Sequence, residues 1–346
     1  MNSPLELMNN VLAQQTQAAH FPSPICTTDP TLAAEDLIRN KLPPVLRISH
    51  IELRTLPDQR IQYVAVLAHH QCSIRVDWIA QQIDKKLKPR QLVEIKHAFY
   101  SEFDSGSLRI RRLQPVNMPR KDINVFETVE PTWVKDPALV RRAISLFNQL
   151  PLPLAHLVNA VFWDGDVFHK YCVGPSSLHH HHNDLVGNFK HSIDVAERCL
   201  KHAQLEKLAN PGLLVAAALL HDAGKVEEYQ LNRSRTSFEM TNRGKQVGHR
   251  ITIVEMLAVA RTKLVQIDDD LYLTLMNMLT ALEGAPRYYG YREPCSVECQ
   301  ILSLADRLSG TDDIAARQGK GSNVGFIGPH DYGFAKTFVT PKPVIP

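Results

Sequence analysis

Long apolar runs are missing from this 346-residue chain. No stretch of about 18 uncharged apolar residues occurs, which excludes a membrane-spanning helix of ordinary length. The first residues, MNSPLELMNNVLAQQTQ, have no basic segment followed by an apolar one, so no secretory leader is expected. C-x-x-C pairs are missing as well. The six cysteines, Cys26, Cys72, Cys172, Cys199, Cys295 and Cys299, are scattered, which argues against a disulfide scaffold or a zinc ribbon and fits a reducing cytoplasm. Excess charge of either sign is lacking at a net +3, so the overall balance selects no class of partner. Internal repeats and low-complexity tracts are also absent. What is present is enough apolar residue, 44%, to bury a core, and a length of more than one ordinary domain and less than three. Histidine is abundant at 16, and its placement matters more than its number.

Residues 1–42 are polar, with Pro22, Pro24 and Pro30 interrupting any long element. Residues 44–116 hold five runs rich in β-branched and aliphatic residues: Val45–Leu53, Gln62–Ala68, Ser73–Trp78, Leu92–Phe99 and Leu108–Leu113. Polar turn-like clusters separate them, and a helix-like insert, Ile79–Leu87, falls between the third and fourth. That order is expected of an OB-fold barrel. Residues 117–135 read as a linker, with Pro119 and Pro131 and little periodicity. Beyond them the patterning is helical, over 137–150, 152–163, 184–203, 211–221, 245–264, 269–283 and 295–317. The last 25 or so residues are rich in Gly and Pro, with no expected core.

The strongest chemical signal is Leu219-Leu220-His221-Asp222-Ala223-Gly224-Lys225, entered directly from the apolar run Leu213–Leu220. A carboxylate at the end of a buried helix requires compensation, and a metal ion is the natural cation. Read alone, the pair also fits a helix C-cap at Gly224 with a solvated Asp222. Two further residues carry the argument beyond that. His191 lies in the helical run Asp184–Ala203, and Asp306 interrupts the apolar stripe of Leu302-Ser303-Leu304-Ala305-Asp306-Arg307-Leu308. Two imidazoles and two carboxylates suit a first-row divalent ion and leave coordination sites for water and a phosphate oxygen.

This order, His191, His221-Asp222, Asp306, resembles the HD superfamily of phosphohydrolases. The nearer resemblance is to the YhaM-like 3′–5′ exoribonucleases, which join an OB-fold to an HD domain. It is carried by three segments: Pro175-Ser176-Ser177-Leu178-His179-His180-His181-His182 with Gly187 and His191; Ala218 to Lys225 with Glu227 and Glu228; and Gly244 to Gly248-His249. The match spans about 44–310. Where the family often has His-His-Gly, this chain has Leu282-Glu283-Gly284, so either Glu283 is the ligand for an additional ion or the site holds a single metal.

The resemblance implies a multidomain chain with a five-stranded OB-like β-barrel followed by an all-α HD domain. The expected boundaries are an N-terminal extension (1–43), a nucleic-acid-binding barrel (44–116), a linker (117–135), the HD domain (136–318) and a flexible tail (319–346). It implies a divalent ion held by His191, His221, Asp222 and Asp306, with Mn²⁺ favoured over Fe²⁺, Co²⁺, Ni²⁺, Mg²⁺ or Zn²⁺. Lys225, His249 and His182 are the candidate phosphate-contacting or catalytic residues. Each also has a structural reading, as a helix-end lysine, a hydrogen-bonded core histidine and a solvated His-rich loop respectively.

The barrel segment contributes a second line. Residues 44–116 hold 12 Lys and Arg against 7 Asp and Glu, a balance of +5, with aromatics interleaved. Arg47, Arg75, Trp78, Lys96, Arg109 and Arg111 are the candidate contacts to single-stranded nucleic acid, RNA before DNA, in the manner of basic residues tracking phosphates and rings stacking bases. The competing reading puts the aromatics in the barrel core and the arginines on a solvated face. Arg287-Tyr288-Tyr289-Gly290-Tyr291-Arg292 is a basic and aromatic loop suited either to stacking a base or to filling a gap between helices. Two rival functions stay open: a phosphohydrolase of free nucleotides or cyclic dinucleotides, and a non-catalytic nucleic-acid-binding protein of DNA transfer or repair.

Overall fold

The computed structural model describes residues 42–100, 107–178, 182–234, 236–263, 267–284, 288, 290–318, 325–327 and 337–339. Most of the expected N-terminal extension, His179 to His181, Arg287, Tyr289 and most of the expected tail lie outside the described residues. The chain divides into two compact units. One takes in 1–145 and 155–170, the other 146–154 and 171–346.

The first unit is built on five strands: β1 (Leu46–Thr55), β2 (Ile61–His69), β3 (Cys72–Ala80), β4 (Leu92–Tyr100) and β5 (Leu108–Pro115). They close a barrel in the order β1-β2-β3-β5-β4, with β3 parallel to β5 and β4 returning to β1. This is the five-stranded OB-like arrangement expected from the pattern of the runs. Alternate residues of each strand point inward, so Tyr63, Ala65 and Leu67 of β2 meet Ile74, Val76 and Trp78 of β3 and Leu108 and Ile110 of β5 in one core.

The helix-like insert after β3 does not form. Ile79 and Ala80 stay on the sheet ladder opposite Gln62 and Ile61, and the chain then runs through turns to β4. The Asp84 carboxylate accepts from the Lys86 N–H, and the Asp84 N–H donates to the Tyr63 hydroxyl, so local side-chain bonds replace a helical ladder. Pro89 further disfavours helix at Lys88.

Residues 117–135, read as a linker, are packed. Asn124 caps a short 3-10 turn, Val125–Thr128, whose Val125 and Phe126 are buried. Asn159 lies in α2 (Leu152–Phe162), which follows α1 (Pro137–Phe147). Its amide donates to the carbonyls of Arg120 and Ile123 and accepts from the Val125 N–H. Phe126 meets Phe162 and Phe168 edge-on. Low periodicity hid this because single buried side chains, rather than a helix face, hold the segment down. A further helix, α3 (Gly165–Val173), was not foreseen; Asp164 initiates it by accepting from the N–H groups of Asp166 and Val167.

The second unit is helical: α4 (Gly187–Ala203), α5 (Pro211–Leu220), a 3-10 turn (Ala223–Glu227), a hairpin of β6 (Tyr229–Leu231) and β7 (Phe238–Met240), α6 (Asn242–Gln246), α7 (His249–Thr262), α8 (Asp269–Thr280) and α9 (Val297–Gln318). A second hairpin pairs β8 (Gly325–Ile327) with β9 (Thr337–Val339). Asn210 caps α5 through the Leu213 N–H, with Pro211 in the first turn. Every residue from Gly212 to Leu220 is buried, so α5 is the central helix, packed by α4, α8 and α9. The expected run 245–264 is interrupted at Gly248, whose φ of +77° separates α6 from α7. Among the described residues no helix is long and apolar enough to cross a membrane.

Candidate metal centre

The buried end of α5 delivers His221 and Asp222 into the interior, α4 brings His191 from one side and α9 brings Asp306 from another. His191 Nε2 lies 3.0 Å from Asp306 Oδ1, 3.3 Å from His221 Nε2 and 3.6 Å from Asp222 Oδ2. His221 Nε2 lies 3.5 Å from Asp222 Oδ2 and 3.9 Å from Asp306 Oδ1. Donors about 2.1 Å from one ion stand roughly 3–3.5 Å apart, so His191, His221 and Asp306 are spaced as ligands sharing a cation, with Asp222 Oδ2 beside the two imidazoles.

The chemistry of the donors agrees. His221 Nδ1 is 2.8 Å from the Ala218 carbonyl, which only accepts, so that nitrogen carries the proton. Burial holds the His221 pKa below its ordinary value, against the pull of Asp222 and Asp306. The neutral ring therefore turns an Nε2 lone pair toward His191 and the carboxylates. Burial works to raise the Asp222 carboxyl, but Lys225 and the imidazoles of His221, His191 and His249 together hold it well below the ordinary carboxylate range. Asp306 behaves alike. Burial opposes ionisation, yet its pKa lies at about 2, with the hydrogen bond from His191 the main influence favouring the carboxylate. A neutral imidazole lone pair and two ionised carboxylates converging in one place fit a divalent ion.

The surroundings orient these groups. Asp222 Oδ2 accepts from Lys225 Nζ at 2.6 Å and from Ser176 Oγ at 3.1 Å, and Lys225 also reaches Ser176 at 3.2 Å. Ser309 Oγ is 3.0 Å from His191 Nδ1, and Tyr171 donates to the Leu219 carbonyl at 3.0 Å just before the His-Asp pair. His249, at the start of α7, lies with Nδ1 2.9 Å from Glu228 Oε2 and Nε2 3.8 Å from Asp222 Oδ1. Gly224 makes this approach feasible, because a Cβ there would stand 2.1 Å from the His249 carbonyl oxygen.

Of the residues expected at the site, the structure brings together His191, His221, Asp222, Asp306, Lys225 and His249. His182 is placed behind His191, 3% exposed, with its backbone N–H on Asp313 and its ring beside Ser309. Its ring packs against that of His191 and the Ser309 hydroxyl rather than facing solvent. Glu283 is exposed at the turn after α8 and belongs to no metal-capable group among the described residues.

Two of the expected nucleic-acid contacts are interior. Arg47 is fully buried; it donates to the Thr128 carbonyl and hydroxyl and to the Arg90 carbonyl, with Trp133 and Phe168 flanking its guanidinium. Trp78 is 4% exposed and stacks on Tyr63 with ring centroids 4.6 Å apart. Trp78 lies at an inward position of β3, while Arg47, between the core residues Leu46 and Ile48, points out of the barrel and is covered by Thr128, Trp133 and Phe168; neither is on an open face. Arg109 is tied to the buried Asp77 at 2.9 Å and Lys96 to Glu94 at 2.7 Å, while Arg75 and Arg111 are exposed.

Ser309, Asp313 and Tyr171 escaped the sequence reading. The first two had a legible signal: with Asp306 they fall at i, i+3 and i+7 on one face of α9.

Comparison with known proteins agrees with this geometry. Residues 188–311 match the HD domain family, so the helical unit contains an HD domain. The chain is 24% identical to the 3′–5′ exoribonuclease YhaM of Bacillus licheniformis over 237 residues, 67% of this chain and 72% of that protein. It is 22% identical to the protein of that name from Bacillus subtilis over 232 residues, again 67% and 72%. It is 29% identical to that of Listeria innocua over 143 residues, 41% of this chain and 44% of the relative. No solved structure matches it.

Proposed function

We propose that this chain is a cytoplasmic, metal-dependent phosphodiesterase that removes nucleotides from the 3′ end of single-stranded RNA. The observation that carries the reading is the convergence of His191, His221 and Asp306, from distant parts of the chain, to spacings of 3.0 to 3.9 Å, with Asp222 Oδ2 3.5 to 3.6 Å from both imidazoles. The similarity to 3′–5′ exoribonucleases over two thirds of the chain supports the polarity and the polymer.

A divalent ion, Mn²⁺ in our reading, would be held by those four residues; such an ion lowers the pKa of bound water and polarises a phosphoryl group. The chain's own groups supply the rest. Lys225, fixed by Asp222 and Ser176, sets an ammonium at the site to offset phosphate charge. His249 is oriented by Glu228 through Nδ1, which leaves Nε2 to accept or return a proton. Ser309 steadies His191 from behind. The exposed Arg75 and Arg111 of the barrel are the remaining strand contacts. Because Arg47 and Trp78 are unavailable, hydrolysis of free nucleotides is the rival this structure favours.

The test is incubation of purified protein and an Asp222→Ala variant with 5′-labelled RNA, 5′-labelled DNA and free nucleotides in Mn²⁺. The expected result is a ladder shortening from the 3′ end of RNA, slowed about a thousandfold or more in the variant. Equal ladders from both proteins overturn the reading, and turnover of nucleotides alone transfers it to the rival.

A further inference from the structure

A cleft of about 430 Å³ in the helical unit is walled by Arg250 and Ile251 of α7, Met276 of α8, and Tyr291 and Arg292 of the segment before α9. Its volume falls in the range of small-ligand sites. Its charge is one-sided. Arg250 Nη1 donates to the Ala281 carbonyl, and Arg292 Nη1 to the carbonyls of Gly290 and Tyr291. Among the described residues neither guanidinium meets a carboxylate, and that of Glu293 instead accepts from the Gly284 N–H. The other polar lining groups are occupied: Asn277 Oδ1 by Cys295 and Cys299, and the Thr280 hydroxyl by the Met276 carbonyl. The cleft therefore offers two forked cations and three apolar surfaces, with no acid to neutralise them.

We propose that this cleft is a nucleotide subsite, in which Arg250 and Arg292 hold a phosphate of the RNA strand and Tyr291, Ile251 and Met276 pack against its base or sugar. The guanidinium fork matches phosphate oxygens, and the apolar wall matches the face of a base. Position links it to the metal centre. Arg250 directly follows His249, whose Nε2 is 3.8 Å from Asp222 Oδ1. Adjacent residues of the first turn of α7 thus serve the two places. The choice of RNA rests on the phosphodiesterase reading; the existence of the subsite does not.

The experiment separates the two. Anisotropy of a fluorescein-labelled RNA trimer is measured in EDTA, where the metal centre contributes no phosphate contact, for the wild type, Arg250→Gln, Arg292→Gln, Arg292→Glu and the double Gln variant. Hydrolysis of bis(p-nitrophenyl) phosphate in Mn²⁺, which has no neighbouring nucleotide, is measured in parallel. The expected result is trimer affinity lower by about tenfold in the double variant and in Arg292→Glu, with diester turnover within about twofold of wild type. Arg292 is exposed, so its variants report even where Arg250→Gln, which loses the bond to Ala281, unfolds. Unchanged trimer affinity in Arg292→Glu overturns the subsite. Parallel loss of affinity and diester turnover also overturns it, since the effect would then pass through the metal centre. Loss of affinity in a protein that hydrolyses no diester upholds the subsite and removes the phosphodiesterase reading.

Discussion

Buried charge is handled in opposite ways in the two units. In the barrel unit, Arg47 is fully enclosed, but its donors end on carbonyl and hydroxyl oxygens and its face on two rings. Each of its three nitrogens donates to a protein oxygen, so it is a strut. In the helical unit, an imidazole lone pair and two ionised carboxylates face one another, with Lys225 on one of them as the adjacent cation. The groups gathered there are of the kind that ligate a divalent cation. Burial of a charged residue thus carries no functional meaning until its partners are counted.

Several measurements break or sharpen that contrast. The largest effect belongs to the strut: Arg47→Met leaves the Thr128 and Arg90 oxygens without their donor, and urea unfolding of the barrel unit is expected to register a loss of about 3 kcal/mol. A variant that keeps its stability and loses RNA affinity would restore Arg47 as a strand contact. Next is the ion. Mn²⁺ at about 100 times its Kd is expected to stabilise the protein by about 2.7 kcal/mol, reversed by EDTA and absent in His191→Ala. Equal stabilisation of that variant would place the ion elsewhere.

The third effect is a pH dependence. Burial, reinforced by His70, depresses His69 on β2 from 6.5 to about 4. The unfolded chain then binds the proton first as pH falls, so this stability is complete above about 6.5 and lost on descent toward 4. Roughly 2 kcal/mol should be gone by pH 5, and a His69→Gln variant should lack that slope. The smallest effect is at the surface: Arg75→Ala and Arg111→Ala should each weaken RNA binding about threefold and reduce the salt slope by about 1.

Much of this arrangement was legible in the residues. Five β-rich runs at regular spacing announced the barrel, and His191, His221, Asp222 and Asp306 stood out because each placed a polar ligand in an apolar helical context. What escaped was decided by single contacts. Trp78 belongs to the inward set of β3 with Ile74 and Val76, so period-two alternation already assigned it to the core. Arg47 alternates with the core residues Leu46 and Ile48 and so faces out of the barrel, and nothing in its neighbours announces that Thr128, 81 residues later, covers it. The turns after β3 looked helical by composition, until Asp84 and Pro89 are weighed. His182 looked like a site residue because it precedes α4 closely, whereas its place behind His191 depends on Asp313 of α9, far downstream.

The contact at Gly224 sets the tolerance of the whole centre. There the turn bearing His221 and Asp222 meets the first residue of α7 main chain to main chain, leaving no room for even a methyl group. Side chains can change rotamer, but a joint made of backbone has no slack. His249 is therefore seated against Asp222 before any substrate arrives, and a bulkier residue at 224 would pry α7 away as one piece, moving Arg250 and its cleft along with it.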